Sequence, residues 1–244
     1  MKIVFATSEA NPYIKSGGLA DVLGSLPKAL VQKGHECIVV LPKYQDMKLA
    51  DTIEYVTNYD IWVGWRKCYC GVFKAEYDGV TYYFIDNEQY FRRPGLYGYD
   101  DDNERFAFFD FAVLELLSHI DIKPDILHLH DWQTAMIATL YKERYAYYEY
   151  YQGIKIVFTI HNIAYQGKCD PALLSDHFGL DNYLYYNGNC RNDGCFNMMK
   201  AAIYYSDIIT TVSPTYAKEI LTDSFGEGLQ NILQMRRHDL YGIL

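Results

Sequence analysis

No apolar run in this 244-residue sequence approaches the roughly 20 residues needed to cross a bilayer, so no membrane partner is expected. No secretory signal is expected either: Lys2 is followed only by the short run Ile3 to Ala6 before Thr7, Ser8 and Glu9, too short for the core of a signal peptide. A cytoplasmic protein is the expectation. Positive charge is scarce, with 22 Lys and Arg against 31 Asp and Glu, and the net charge of −9 disfavours nucleic acid as a partner. The six cysteines contain no C-x-x-C pair and no His spacing typical of zinc sites, and free thiols are the default in an intracellular chain of this size. Cys68 and Cys70 share one face of a strand, which is a packing pattern. The dinucleotide fingerprint G-x-G-x-x-G is lacking, and Pro42 and Lys43 stand where a nicotinamide enzyme places an acidic residue. Internal repeats and low-complexity linkers are absent as well.

What is present begins with Lys2–Ser8, a β-branched apolar run, followed by an aperiodic stretch from Glu9 to Lys15 and then Ser16-Gly17-Gly18. Apolar residues recur at helical spacing from Leu19, so the stretch reads as strand, loop, helix. A helix N-terminus offers unpaired N–H groups and partial positive charge, adjacent glycines allow close approach, and Lys15 adds a full charge at the same mouth. A phosphate fits such a junction, although a tight βα turn with a surface lysine has the same appearance. Leu19 to Gly34 reads as a helix that Pro27 should bend or interrupt. Cys37–Leu41 is a buried parallel strand, completing a β-α-β unit.

Between residues 53 and 86 the texture turns β-rich, with Asp78-Gly79 as a hairpin turn, and an insertion or a continuation at the sheet edge is expected. Helical period returns from Asp102 to Leu117, with Phe106, Phe109, Val113, Leu114 and Leu117 toward the sheet. Strands follow at 125–130, 154–160 and 207–212, with helices near 133–145, 196–205 and 214–221, the last capped by Ser213-Pro214. Residues 164–193 read as one long connection with a helical turn near 172–178, and loops of that length tend to be functional. Tyrosine is abundant, at 25 copies, and the cluster Tyr145, Tyr147, Tyr148, Tyr150 and Tyr151 suits either a sugar-stacking surface or a helix end packed by amphipathic rings. The whole is an α/β chain, 1–244, built on a Rossmann-like, doubly wound, mostly parallel sheet with a β-rich insertion.

Ligands of such sheets bind outside the carboxyl ends of the strands, where strand order reverses. That rule gathers the Lys15 loop, His130-Asp131-Trp132 and His161-Asn162 on one rim. Each has a plainer reading: a strand-end histidine is commonly structural, and Asp131 suits a helix N-cap beside a packed indole. His128-x-His130 also invites a metal, with Asp131 and His161 to complete the site, which keeps open a metallohydrolase using His128, His130 and His161. Against this, His128 sits one pleat inside a buried strand.

Four ordered motifs carry a resemblance. Lys15-Ser16-Gly17-Gly18-Leu19-Ala20-Asp21-Val22 resembles the K-x-G-G-L-x-D-V signature of bacterial glycogen synthases and plant starch synthases. His130-Asp131-Trp132 is similar to their H-D-W motif, Thr159–Gly167 to their T-x-H-N-x-x-Y-Q-G stretch, and Thr211–Ala217 to their T-V-S-P-x-Y-A run. The resemblance implies the N-terminal half of a GT-B glycosyltransferase that moves glucose from ADP-glucose to the nonreducing end of an α-1,4-glucan, with retention and without a required metal or other cofactor. By the same resemblance Lys15, Gly17, Gly18 and Asp21 bind the nucleotide-sugar donor, His161 contacts the donor glucose, Asp131 lies beside the reaction centre, and Asn162 and Tyr97 face the acceptor. Family members continue into a second Rossmann-like, nucleotide-binding domain, the chain's own partner in a full-length enzyme. The expectation is therefore a fragment holding one wall of the active site, with little or no transferase activity alone. A stand-alone glucan- or nucleotide-binding module is the alternative.

Overall fold

A computed structural model of the chain describes residues 1–48 and 53–244. In order, the elements are β1 (Lys2–Ala6), α1 (Gly18–Gln32), β2 (Glu36–Pro42), β3 (Glu54–Val63), β4 (Arg66–Tyr77), β5 (Val80–Asp86), α2 (Glu88–Phe91), α3 (Asp102–His119), β6 (Ile126–His130) and α4 (Met136–Glu143). Then come β7 (Lys155–Ile160), β8 (Lys168–Cys169), α5 (Leu173–Asp176), α6 (Tyr183–Tyr186), β9 (Arg191–Asn192), β10 (Cys195–Asn197), α7 (Met198–Tyr205), β11 (Ile208–Thr211), α8 (Pro214–Glu219), α9 (Gln230–Met235) and β12 (Leu240–Gly242).

One nine-stranded sheet organises the chain in the order β12-β11-β7-β6-β1-β2-β5-β4-β3. The strands from β12 to β5 pair in parallel, while β4 and β3 run antiparallel at the edge. Parallel central strands are buried on both faces and must be apolar throughout, which is why β1 and β2 are nearly unbroken aliphatic runs. From β1 the chain winds outward through β2 to one side and through β6, β7 and β11 to the other. The reversal of strand order thus lies between β1 and β6, and it opens a crevice at their carboxyl ends.

The β-rich stretch is a continuation of this sheet: β5 is hydrogen-bonded to β2 in parallel, and β4 and β3 extend the edge. Asp78 and Gly79, both at positive φ, make the tight turn that brings Tyr77 opposite Val80. Cys68 and Cys70 face the same side of β4, opposite Ile61 and Tyr59, and all six thiols are free.

Some expectations need correction. Helix α1 runs unbroken through Pro27, whose ring is buried; the one missing N–H is outweighed by the packed face that continues past it. Helix α3 buries nearly its whole circumference, Phe108, Asp110 and Phe111 included, because it packs between β3 and α4. The region 164–193 is more structured than a loop with one turn: besides α5 it holds α6, and β8 and β9 flank β10 in a second, three-stranded sheet. Its strands are two or three residues long, too short for alternation to register in the sequence. The tyrosine cluster is divided. Tyr145 and Tyr151 are buried and donate to Glu115 and the Leu114 carbonyl, while Tyr147 and Tyr148 are exposed. Among the described residues no helix is long and apolar enough to cross a membrane.

Candidate active site

A cavity of about 850 Å³ opens at the switch point. Glu9, Ser16, Gly17, Gly18, Tyr97, Asp131, Trp132, His161, Asn162 and Tyr165 are in its lining. Six of the eight residues singled out from sequence are therefore brought together: Gly17, Gly18, Tyr97, Asp131, His161 and Asn162. Lys15 and Asp21 stand outside the lining, ion-paired to each other at 2.7 Å.

The first wall is the loop from β1 to α1. Gly17 takes the N-cap position in extended conformation, with no side chain capping the helix. The first N–H groups of α1 have no intrahelical acceptor, and Gly18 and Leu19 border the cavity, so partial positive charge faces it. The loop is drawn tight by a residue that sequence reasoning passed over. Glu9 is buried, and its carboxylate accepts from the N–H groups of Ser16 and Gly17, the latter at 3.3 Å, and from Ser16 Oγ at 3.0 Å. Nothing periodic marks it, since its partners lie seven and eight residues away. Lys15 is not an unpaired charge, as the sequence suggested: Nζ donates to both oxygens of Asp21, which also accepts from Asn11. The Lys15 hydrogen bonds hold the Asp21 carboxyl below its ordinary range.

The second wall joins the ends of β6 and β7. Asp131 caps no helix with its side chain; its Oδ1 accepts the backbone N–H of His161 at 2.8 Å and of Asn162 at 3.4 Å. Its backbone sits at φ 57°, a conformation that is strained for a residue with a side chain. The turn is fastened by Thr134, whose hydroxyl accepts from the His130 N–H at 2.7 Å and donates to the His130 carbonyl at 3.0 Å. Burial pushes the Asp131 pKa up to about 7.

Behind this wall lie three imidazoles. His128 Nε2 contacts Thr159 Oγ1 at 2.6 Å, and His130 Nδ1 contacts His161 Nε2 at 2.9 Å. Burial lowers all three, His128 to about 3 and His161 to about 4, with His130 well below its ordinary value, so each ring is neutral near pH 7. The rings are turned to one another and to Thr159 rather than to a common point, and among the described residues no group of three or more His, Cys, Asp or Glu is placed to hold a metal ion.

The Y-Q-G stretch is the mount for this wall. Gly167 has φ +64°, and a Cβ there would meet Trp132 Cε3 at 2.7 Å, so the glycine lets the loop lie on the indole. Gln166 is buried, donates to the Ile163 and Glu227 carbonyls, and accepts from Asn197, which caps α7. Ser213 caps α8 by accepting from the Tyr216 N–H at 2.9 Å, and Tyr216 Oη accepts from the Ile163 N–H. Tyr97 closes the cleft near the first wall, 2.7 Å from Ser8 Oγ. Its loop is braced by the buried Arg105, which donates to the Leu96 carbonyl. Tyr165, two-thirds exposed, also lines the cavity; it lies within a quoted motif but was given no role.

Residues 2–235 match a family model described as the starch synthase catalytic domain. Glycogen synthases from Clostridium kluyveri and Streptococcus agalactiae are each 50% identical over 246 residues, covering 100% of this chain and 52% of the relative. The chain spans about half the length of the curated relatives it matches. The catalytic domain of starch synthase IV from Arabidopsis thaliana, solved bound to ADP and acarbose, superimposes with a TM-score of 0.92 at 36% identity, over 100% of this chain and 51% of that one. The sheet is thus the Rossmann-like N-terminal half of a GT-B glycosyltransferase. With its four motifs gathered around one cavity and the family match running across nearly its whole length, the chain belongs to the starch synthase catalytic domain family.

Proposed function

We propose that this chain supplies one wall of the active site of an enzyme of glycogen biosynthesis, which transfers glucose from ADP-glucose to the nonreducing end of an α-1,4-glucan with retention of configuration. The observation that carries this reading is the convergence of an uncapped helix N-terminus with the Asp131-His161-Asn162 junction and Tyr97 on a single cavity. Its volume falls within the ~300–1,000 Å³ usual for small-molecule sites. ADP and acarbose are the ligands of the Arabidopsis relative.

As the glycosidic bond breaks, negative charge grows on the leaving phosphate. The N–H groups of Gly18 and Leu19 and the α1 dipole are already oriented toward that charge, so no reorganisation is needed when it develops. Gly17 keeps the approach open. Lys15, next to the cavity-lining Ser16, is held by Asp21, and on donor binding it exchanges one carboxylate oxygen for a phosphate oxygen. His161 meets the donor glucose as a neutral ring, and Asp131, by holding the His161 and Asn162 backbone, sets the distance between donor and acceptor. Asn162 and Tyr97 face the glucan. The reaction needs no metal in this scheme, and the opposite wall comes from a second domain.

Elongation of a maltooligosaccharide by the chain joined to the second half of the Clostridium kluyveri enzyme tests this. The joined protein is expected to add α-1,4-linked glucose from ADP-glucose, and His161→Ala to lower kcat by ~10²–10³-fold, the usual loss for one oriented donor. Unchanged turnover in His161→Ala, or a folded joined protein with no transfer, would sink the reading.

A further inference from the structure

His130 is fully buried and is not among the cavity-lining residues, yet it touches a residue that is. Its ring stacks on His128, with centroids 4.3 Å apart at 27°, and lies 6.1 Å from Phe5 at the same angle. Nδ1 is 2.9 Å from His161 Nε2, whereas Nε2 is buried with no hydrogen-bond partner. A neutral imidazole has one N–H and one bare nitrogen, so a single proton lies between the two rings and its owner fixes both tautomers.

Two arrangements are possible. If His161 Nε2 owns the proton, His130 must carry its own on Nε2, which seals an N–H away from water and from every acceptor. If His130 Nδ1 owns it, the buried Nε2 is bare and no donor is orphaned. Orphaned buried N–H groups are the rarer fault in folded proteins, under-used acceptors being tolerated more often. His161 Nε2 is then the acceptor, and its proton sits on Nδ1, which makes no hydrogen bond among the described residues and belongs to a ring that lines the cavity.

We infer that His130 is a positioning residue: by donating to His161 Nε2 it locks His161 in the Nδ1–H tautomer, so that the cavity is offered a hydrogen-bond donor. The inference rests on the sugar-donor reading of the cavity for its purpose, since an N–H aimed at a hydroxyl oxygen orients a sugar, but its geometry does not. The stack with His128 and the Thr134 clasp on the His130 backbone keep the ring from rotating away. A hydrogen bond with no ligand contact thus decides the polarity of a residue that has one.

Two-bond 1H–15N spectra of the 15N-histidine-labelled 244-residue chain separate bare from protonated ring nitrogens. The expected spectrum has His161 protonated at Nδ1 and bare at Nε2. His130→Phe keeps a stacking ring without a donor and is expected to leave His161 Nε2 bare but no longer hydrogen-bonded, moving its 15N signal downfield. His130→Asn returns an amide N–H near the Nδ1 position and is expected to restore the parent signal. In the joined transferase, His130→Phe should lower kcat about tenfold with KM for the donor little changed, and His130→Asn should recover most of that loss. An Nε2–H tautomer at His161 in the parent chain, or an unchanged His161 Nε2 signal in a folded His130→Phe, would overturn the assignment. The parent spectrum decides the matter even if His130→Phe does not fold. It needs no transfer activity, so a failed transfer assay beside the expected tautomer counts against the proposed function alone.

Discussion

Asp131 Oδ1 accepts the backbone N–H of His161 at 2.8 Å, across a separation of 30 residues. The same oxygen reaches Asn162, so one carboxylate pins the carboxyl ends of β6 and β7 together where the cavity begins. Asp131→Asn keeps an oxygen in that place and should fold with stability close to the parent. Asp131→Ala leaves the N–H groups without their acceptor and should cost about 1–3 kcal/mol. Denaturant unfolding of the two variants checks this; equal stability of Ala and Asn would show the bond to be incidental.

The buried titratable groups give an acid dependence of definite sign. His128 at about 3 and His161 at about 4 lie below the ordinary 6.5, so the stability they contribute is present above pH 6.5 and is lost as pH falls toward those values. His130, also lowered, acts the same way. Asp131, raised from 3.8 to about 7, opposes them: its contribution is full below about pH 4 and is lost as pH rises through 7. His177 is lowered by burial as well, and the buried Asp110, raised well above its ordinary value, sides with Asp131. Four lowered imidazoles outweigh two raised carboxyls, so the chain should lose stability from pH 6.5 to 4.5. Asp131→Asn, which removes one of the opposing groups, should steepen that loss. Denaturant midpoints across the window that stay flat, or rise toward acid, would count against it.

Gly167→Ala tests how the Y-Q-G loop is seated. The position combines φ +64° with a Cβ that would lie 2.7 Å from Trp132 and 3.1 Å from Met198. Strain and overpacking together should cost about 1–3 kcal/mol and disturb the Trp132 environment. Intrinsic fluorescence and chemical denaturation read both effects, and an unperturbed variant would mean that the loop has slack.

Lys15→Ala should separate function from stability. The Lys15–Asp21 pair is about half exposed, and such pairs add little to folding. The melting temperature is expected to move by no more than about 2 °C, while kcat/KM for ADP-glucose in the joined transferase falls at least tenfold. A large drop in melting temperature with intact turnover would make the lysine structural.

The sequence disclosed the central sheet well, because β1, β2, β6 and β7 are buried on both faces and announce themselves as aliphatic runs ending at polar residues. Gly17, Gly18, Asp131, His161 and Asn162 fall on one rim for the same reason: the strand ends place them. What could not be read is whatever depends on contacts between distant residues. Glu9 is an ordinary loop acid until the fold puts it under Ser16 and Gly17. The pairing of Lys15 with Asp21 needs the curvature of the loop, and His130 looked like a ligand until its ring was seen against His161. The small sheet of β8, β9 and β10 was missed because strands of two or three residues carry no period.

Transfer of labelled glucose from ADP-glucose to glycogen, measured for the 244-residue chain alone and for the chain joined to the Clostridium kluyveri second half, tests the half-site reading most directly. The expected result is robust incorporation by the joined protein and at most about one hundredth of that turnover by the chain alone, since the pyrophosphate is then stabilised from one side only. Near-equal turnover by the chain alone would contradict it.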